Sequence, residues 1–450
     1  MAGESVIMDA PPTRPTEPSF TEVTRTFGKI GLLSFGGPAG QIALMHRILV
    51  EEKRWLDEAR FLHALNYCML LPGPEAMQLA TYAGWLLHGV RGGLVAGLLF
   101  VLPGALLLTA LSATYLLVGD VPLVQGLLFG LKAAVLAVVL EALIKVSRRA
   151  LKGQQSVLIA IAAFIAIAFL KLPFPLIILA AAAFGALAHL YSRGGVQENE
   201  VTTSPELAMP EWTKPSANRF FSTLAIWLAI WLGPLAVLHI ALGGAHVFTV
   251  EAGFFSKMAA ITFGGAYAVL AYVAQQAVEV HGWLAPNEML IGLGLAETTP
   301  GPLILVLVFV GFLGGARLSS LDPLTGGVAG ALVTLWFTFA PCFLWIFVGA
   351  PYVETVRNIR WLASALAAVT AAVVGIIANL GVWFSLHVLF RVVGEWQAGP
   401  LVLPAPDPSN FNIAAAIIAV AAGIALIRYH ANMIAVLGAA ALAGMAWTIA

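Results

Sequence analysis

Charge is what this sequence has least of. Only 10% of its 450 residues are Asp, Glu, Lys or Arg, where a soluble globular chain carries about 25%. The two signs balance at 23 each, so the net charge is zero and no electrostatic case for a nucleic-acid or strongly acidic partner can be made. Cysteine is nearly absent. Cys68 and Cys342 both lie in apolar stretches, which indicates neither a disulfide framework nor a metal site. His46, His63, His88 and His281 show no metal-ligand spacing. No Walker A sequence is present, which argues against a pump carrying its own ATPase, and no nucleophile–base pair suggests an enzyme. No metal or other cofactor is expected. The first 26 residues have prolines at 11, 12, 15 and 18 but no apolar core, so they read as a flexible tail rather than a signal peptide.

Apolar residues fill the space that charge leaves, at 60% of the chain. Nothing is charged from Gly92 to Gly119, from Gln154 to Leu170 or from Trp361 to Phe390. A membrane-spanning helix needs about 20 such residues. These runs lack the alternation of barrel strands. The expected fold class is therefore an all-α polytopic membrane protein. Candidate spans fall at 25–48, 60–88, 92–119, 122–146, 154–170, 173–191, 218–242, 248–280, 286–316, 324–350, 358–390, 411–427 and 430–449, some of them re-entrant. Residues 192–216 are polar and read as a linker between membrane domains at 27–191 and 217–450. The basic loop "KVSRRALK" (Lys145 to Lys152) is placed in the cytoplasm.

The two halves repeat. "SFGG" starts at Ser34 and "TFGG" at Thr262; PGP starts at Pro72 and at Pro300; 262 − 34 and 300 − 72 both give 228. Val50-Glu51 and Trp55-Leu56 find Val278-Glu279 and Trp283-Leu284 at the same offset. Pro103 pairs with Pro341 after an insertion. Internal repeats are common in secondary transporters, whose sites lie between discontinuous helices. If every span is complete, seven separate the two repeat units, and the odd number inverts the second.

Proline ends a helix and tolerates starting one. Each PGP therefore reads as helix, break, new helix, restarting near Pro74 and Pro302. Such breaks survive in a bilayer where protein or a wet cavity satisfies the backbone. A helix N-terminus with free N–H groups is an anion site, and the FGG glycines allow close backbone approach. The alternative is that both motifs only kink helices. Gln78, Asn66, Thr298 and Thr299 are candidate oxyanion donors, the threonines also candidate caps. Glu75, just after the first PGP, and Glu297, just before the second, are candidate proton-coupling carboxylates; a cap is the plainer reading of Glu75. Glu141 reads as an i,i+4 partner of Lys145. Glu51 and Glu279 read as interface residues. Arg91, Lys132, Lys257, Arg47, Lys53 and Arg54 are candidate cations along a dianion path, with Lys132 the best buried; each alone also reads as a snorkelling residue.

The segments Phe35 to Gly93 and Phe263 to Phe312 resemble the N- and C-terminal domains of the chromate transporter family, through FGG, Trp-Leu and PGP in both. The resemblance covers most of the chain and corresponds to the long two-domain form. It implies a multi-pass protein of the bacterial inner membrane that exports chromate, coupled to protons, and confers chromate resistance. Sulfate is a tetrahedral dianion of similar size, so a sulfate-type transporter stays open, as does a passive anion channel. Combined with the break argument, the substrate site would comprise Phe35, Gly36, Gly37, Pro72, Gly73, Pro74, Gln78, Phe263, Gly264, Gly265, Thr299, Pro300, Gly301, Pro302, Arg91 and Lys132. The expected partners are the oxyanion, protons and lipid; a homodimer is compatible with the sequence.

Overall fold

A computed structural model describes residues 18–191, 211–261, 263, 266–352, 360–399 and 401–449. Its helices are α1 (Phe20–Leu33), α2 (Gly37–His46), α3 (Glu58–Cys68), α4 (Glu75–Val118), α5 (Pro122–Ala150), α6 (Gln154–Ala168), α7 (Phe174–Tyr191), α8 (Ala217–Leu242), α9 (Val247–Ile261), α10 (Ala266–Ala274), α11 (Pro286–Thr298), α12 (Val306–Leu318), α13 (Pro323–Gly349), α14 (Arg360–Leu389), α15 (Ile413–Gly423) and α16 (Met433–Ile449). Five of these, α4, α5, α8, α13 and α14, are long and apolar enough to cross a membrane. The chain is an all-α polytopic membrane protein with one addition that periodicity did not signal. Strands β1 (Val393–Ala398) and β2 (Leu401–Pro406) form an antiparallel hairpin. Beyond it, Ser409 donates through its hydroxyl and its N–H to Asp407 at 2.7 and 3.0 Å, holding that carboxyl below its ordinary range.

Helix α1 begins inside the stretch read as a tail. Ser19 accepts from the N–H of Glu22 and caps it. Its turns then bury Val23, Phe27 and Ile30 on one face, the spacing of an amphipathic helix.

The repeat is built into the backbone. Helices α1 and α9 end at Leu33 and Ile261, α2 and α10 at His46 and Ala274, and α3 and α11 start at Glu58 and Pro286, each pair 228 positions apart. Both α2 and α10 continue into a π-helical turn, Arg47–Glu52 and Gln275–Val280, at the same offset. The turns close alike. Trp55 N–H donates to Leu49 O at 2.9 Å, and Trp283 N–H to Ala277 O at 2.8 Å.

Helix α4 is two helices. His88 (φ −139°) and Gly89 (φ 60°, ψ −150°) interrupt it, and the chain folds back. A Cβ on Gly84 would meet Ala96 Cβ at 2.6 Å and Gly92 C at 2.8 Å; in a straight helix residues 84 and 92 would stand about 12 Å apart. The second half makes its hairpin from α12 and α13, with Gly330 against Gly311 and Gly315. Small residues let membrane helices approach this closely. Each PGP is thus followed by a short helix packed against a long one.

Candidate functional site: two broken helices that cross between the halves

At the first PGP, Gly73 takes φ +118° and Pro74 occupies the cap position of α4. At the second, Gly301 takes φ +96° and Pro302 caps the 3₁₀ turn Leu303–Leu305 that leads into α12. Positive φ is readily open to glycine only. In both breaks the helix restarts where the prolines require.

Each break packs on the other half. Gly104, in the long arm of α4, lies directly against the Pro300 carbonyl: a Cβ there would overlap the oxygen and come within 2.7 Å of Leu305 Cδ1. In the opposite sense, a Cβ on Gly73 would come 3.0 Å from Cys342 Sγ of α13. Pro103-Gly104 and Pro341-Cys342 are repeat partners, so the two crossings are equivalent. Tyr67, just before the first break, adds a hydrogen bond to Trp345 O at 3.1 Å. The first FGG joins the second PGP directly, Gly301 N–H donating to Ser34 O at 2.8 Å.

Two buried glutamines brace the breaks. Gln41 Nε2 donates to Gly301 O at 2.6 Å and Gln78 Nε2 to Pro72 O at 2.7 Å. Gln78 thus spends one of its two N–H groups on the break it was expected to serve. The effect is still electrostatic. Carbonyl oxygens that would repel an anion are covered by amides, while the first-turn N–H groups of α4 have no intrahelical acceptor.

The remaining expected residues divide. Gly36 (φ +86°) and Gly37 (φ +71°) have open space where a Cβ would stand, and Phe35 lies between α1 and α2. Phe263 lies between α9 and α10, while Gly264 and Gly265 fall outside the described residues. Thr298 and Thr299 turn their hydroxyls back to Leu295 O and Ala296 O at 2.8 and 2.9 Å, which satisfies carbonyls at the end of α11. Glu75 is the first residue of α4 and half-buried. Glu297 is 3% exposed and accepts from Tyr267 Oη at 2.6 Å. Arg91 is exposed at the hairpin tip, about 20 Å of helix from the first break at 1.5 Å per residue. It does not belong with the PGP. Lys132 is half-buried on α5 and makes no hydrogen bond or ion pair among the described residues.

The cations whose fields reach the site are others. Arg149 acts on Glu75, and Lys145 on Glu297, where the carboxylate of Glu141 opposes it. All three lie on the last turns of α5, and Glu141 pairs with Lys145 at 2.5 Å as the i,i+4 spacing predicts. The signal was in the sequence as the basic loop, read there only as an orientation mark. Two further groups escaped the sequence reading. The Thr338 hydroxyl on α13 is buried and has no hydrogen-bond partner among the described residues. Glu288 is bound bidentately by Arg317 at 2.7 and 2.6 Å and accepts from Tyr115 Oη at 2.8 Å.

The family described as Chromate transporter matches residues 21–186 and 252–445, one stretch in each half. The chain is 32% identical over 366 residues to a chromate transport protein of Pseudomonas aeruginosa, covering 81% of this chain and 80% of the relative. It is 29% identical over 407 residues to a probable chromate transport protein of Synechococcus elongatus, covering 88% and 94%. An uncharacterized transporter of Bacillus subtilis, YwrB, is 32% identical over 171 residues, which span 37% of this chain but 86% of the relative. No solved structure matches. With a match in each half and relatives of this identity along most of its length, the chain belongs to the chromate transporter family, whose members are membrane transporters and not enzymes.

Proposed function

We propose that this protein is a secondary active transporter that exports chromate across the bacterial inner membrane in exchange for protons, and so confers chromate resistance. Its membrane domains, 27–191 and 217–450, act as inverted repeats around one anion site. The observation that carries the reading is the crossing of the breaks: Gly301 N–H reaches Ser34 O at 2.8 Å, and each PGP rests on the proline-bearing helix of the other half. Two helix N-termini held in this way offer backbone donors to a tetrahedral dianion. Arg149, at the end of α5, supplies positive field toward Glu75.

In this scheme Glu75, the first residue of the helix that opens at the first PGP, is the first coupling carboxyl, its charge bearing directly on a dianion held there. Glu297, held by Tyr267, is the second coupling carboxyl. The names of the relatives favour chromate; sulfate shares its shape and charge.

Uptake of chromate into everted vesicles tests this. Accumulation should collapse with a protonophore, and sulfate should compete where monovalent nitrate does not. Flux indifferent to the proton gradient would replace antiport with a passive anion channel.

A further inference from the structure

Glu251 is a carboxylate that the fold does not need. It sits on α9, 0% exposed, with neither oxygen hydrogen-bonded among the described residues. At the repeat offset its position is Val23, also 0% exposed, on α1. The first half therefore builds the same helix with an apolar side chain. A Cβ on Gly314 would stand 2.5 Å from Glu251 Oε1 and 3.1 Å from Trp283 Cγ, and the residue at the equivalent position is Leu86. The valine of the first half has become a glutamate in the second, and Gly314 makes the room its carboxyl occupies.

Among the described residues no cation answers it. Of the helices packed against α9, α13 carries no ionisable side chain except its Cys342 thiol, α8 carries Arg219 and His239, and α12 carries Arg317. Arg317 is engaged by Glu288 at 2.6 Å and by Trp283 O at 3.3 Å. Arg219 donates to Trp212 O at 2.8 Å. On α9 itself Lys257 is exposed. His281 is engaged by rings, stacking on Trp283 at 4.6 Å and packing on Phe254 at 5.9 Å between centroids, and His246 packs on Phe248 at 5.1 Å. An ionised carboxylate in such a site has neither solvent nor donor, and its burial would be prohibitive. The side chain must be neutral here.

Buried carboxyls without a structural return in membrane helices belong to proton pathways. We infer that Glu251 is a further proton-binding carboxyl of the second half, beside Glu297, neutral in this conformation and ionised only when another conformation brings water or a cation to it. Arg317 lies one turn from Gly314 on α12, on the same helix face, and is the cation placed to exchange Glu288 for Glu251. This inference rests on the proton-coupled reading above, and its test separates the two.

The full-length chain in proteoliposomes is compared with E251Q and E251D. Infrared spectra at neutral pH should show a protonated carboxylic-acid carbonyl band, shifted in D2O, that E251Q removes. Chromate uptake is measured with and without an imposed pH gradient. The ratio should fall to one in E251Q and stay above one in E251D, a split that a packing role would not produce. Should E251Q fail to fold, E251V serves, because the first half tolerates valine at this position. An unchanged carbonyl band, or a gradient response retained in E251Q or E251V, overturns the inference. A wild-type chain that binds the proton in the infrared but never moves chromate refutes the chromate reading instead.

Discussion

The crossing of the halves can be tested with a single methyl group. In Gly104→Ala the new Cβ would overlap the Pro300 carbonyl oxygen and approach Leu305 Cδ1 to 2.7 Å. The leucine tip can swing aside. The carbonyl cannot, because the break that carries it is tied to Ser34 O and to Gln41. Overpacking of this kind costs about 1–3 kcal/mol, and alanine's helix propensity returns about 1 kcal/mol against glycine. A net loss of at most about 2 kcal/mol leaves a protein that inserts and folds. The same misfit falls on the transport-competent arrangement, where about 1.4 kcal/mol is a factor of ten in rate. Chromate accumulation in everted vesicles, normalised to protein in the membrane, should therefore drop about tenfold. Gly28→Ala is the control: nothing lies within 4 Å of its Cβ, so it keeps the propensity gain without the clash. Equal transport by the two variants would refute the claim that the second break is positioned by the first half.

Three other outcomes are expected. Gly73→Val and Gly301→Val, at φ +118° and +96°, should abolish transport while membrane insertion, read by immunoblot, persists; survival of transport in both would reduce PGP to a kink. Glu75→Gln and Glu297→Gln should each weaken the response of uptake to a pH gradient, whereas a passive channel would leave flux unchanged. Arg317→Ala should destabilise the detergent-solubilised protein, by less than the about 3–5 kcal/mol of a fully buried pair, because Arg317 is 39% exposed and Glu288 11%; thermal unfolding monitored by tryptophan fluorescence reads the difference.

The repeat was legible because Pro, Gly and Trp occupy positions where few other residues serve, and their offset of 228 carries through to helix ends and π-turns. The breaks at Pro74 and Pro302 were legible for the same reason. What sequence periodicity could not supply was which half each break touches. That depends on contacts such as Gly104 with Pro300, between residues far apart in the chain. Cations were misassigned by proximity along the sequence: Arg91 follows the PGP helix but sits at its far end, while Arg149, distant in sequence, returns on α5. Thr299 had the right chemistry, yet a nearby carbonyl claimed its hydroxyl, and Gln78 spends one of its two N–H groups on the Pro72 carbonyl. Glu251 passed unnoticed inside an apolar span, although its alignment with Val23 was available once the repeat had been found.

The interlocking of the breaks has a genetic consequence. A duplicated unit that completed its own site would let each half drift independently. Here the surface that holds one break is encoded in the other unit, so damage in one half shows itself as a defect of its twin. Second-site suppressors of Gly104→Ala are accordingly expected around residues 300–305 rather than along α4, and any exchange of halves between relatives must carry over both faces of the crossing together.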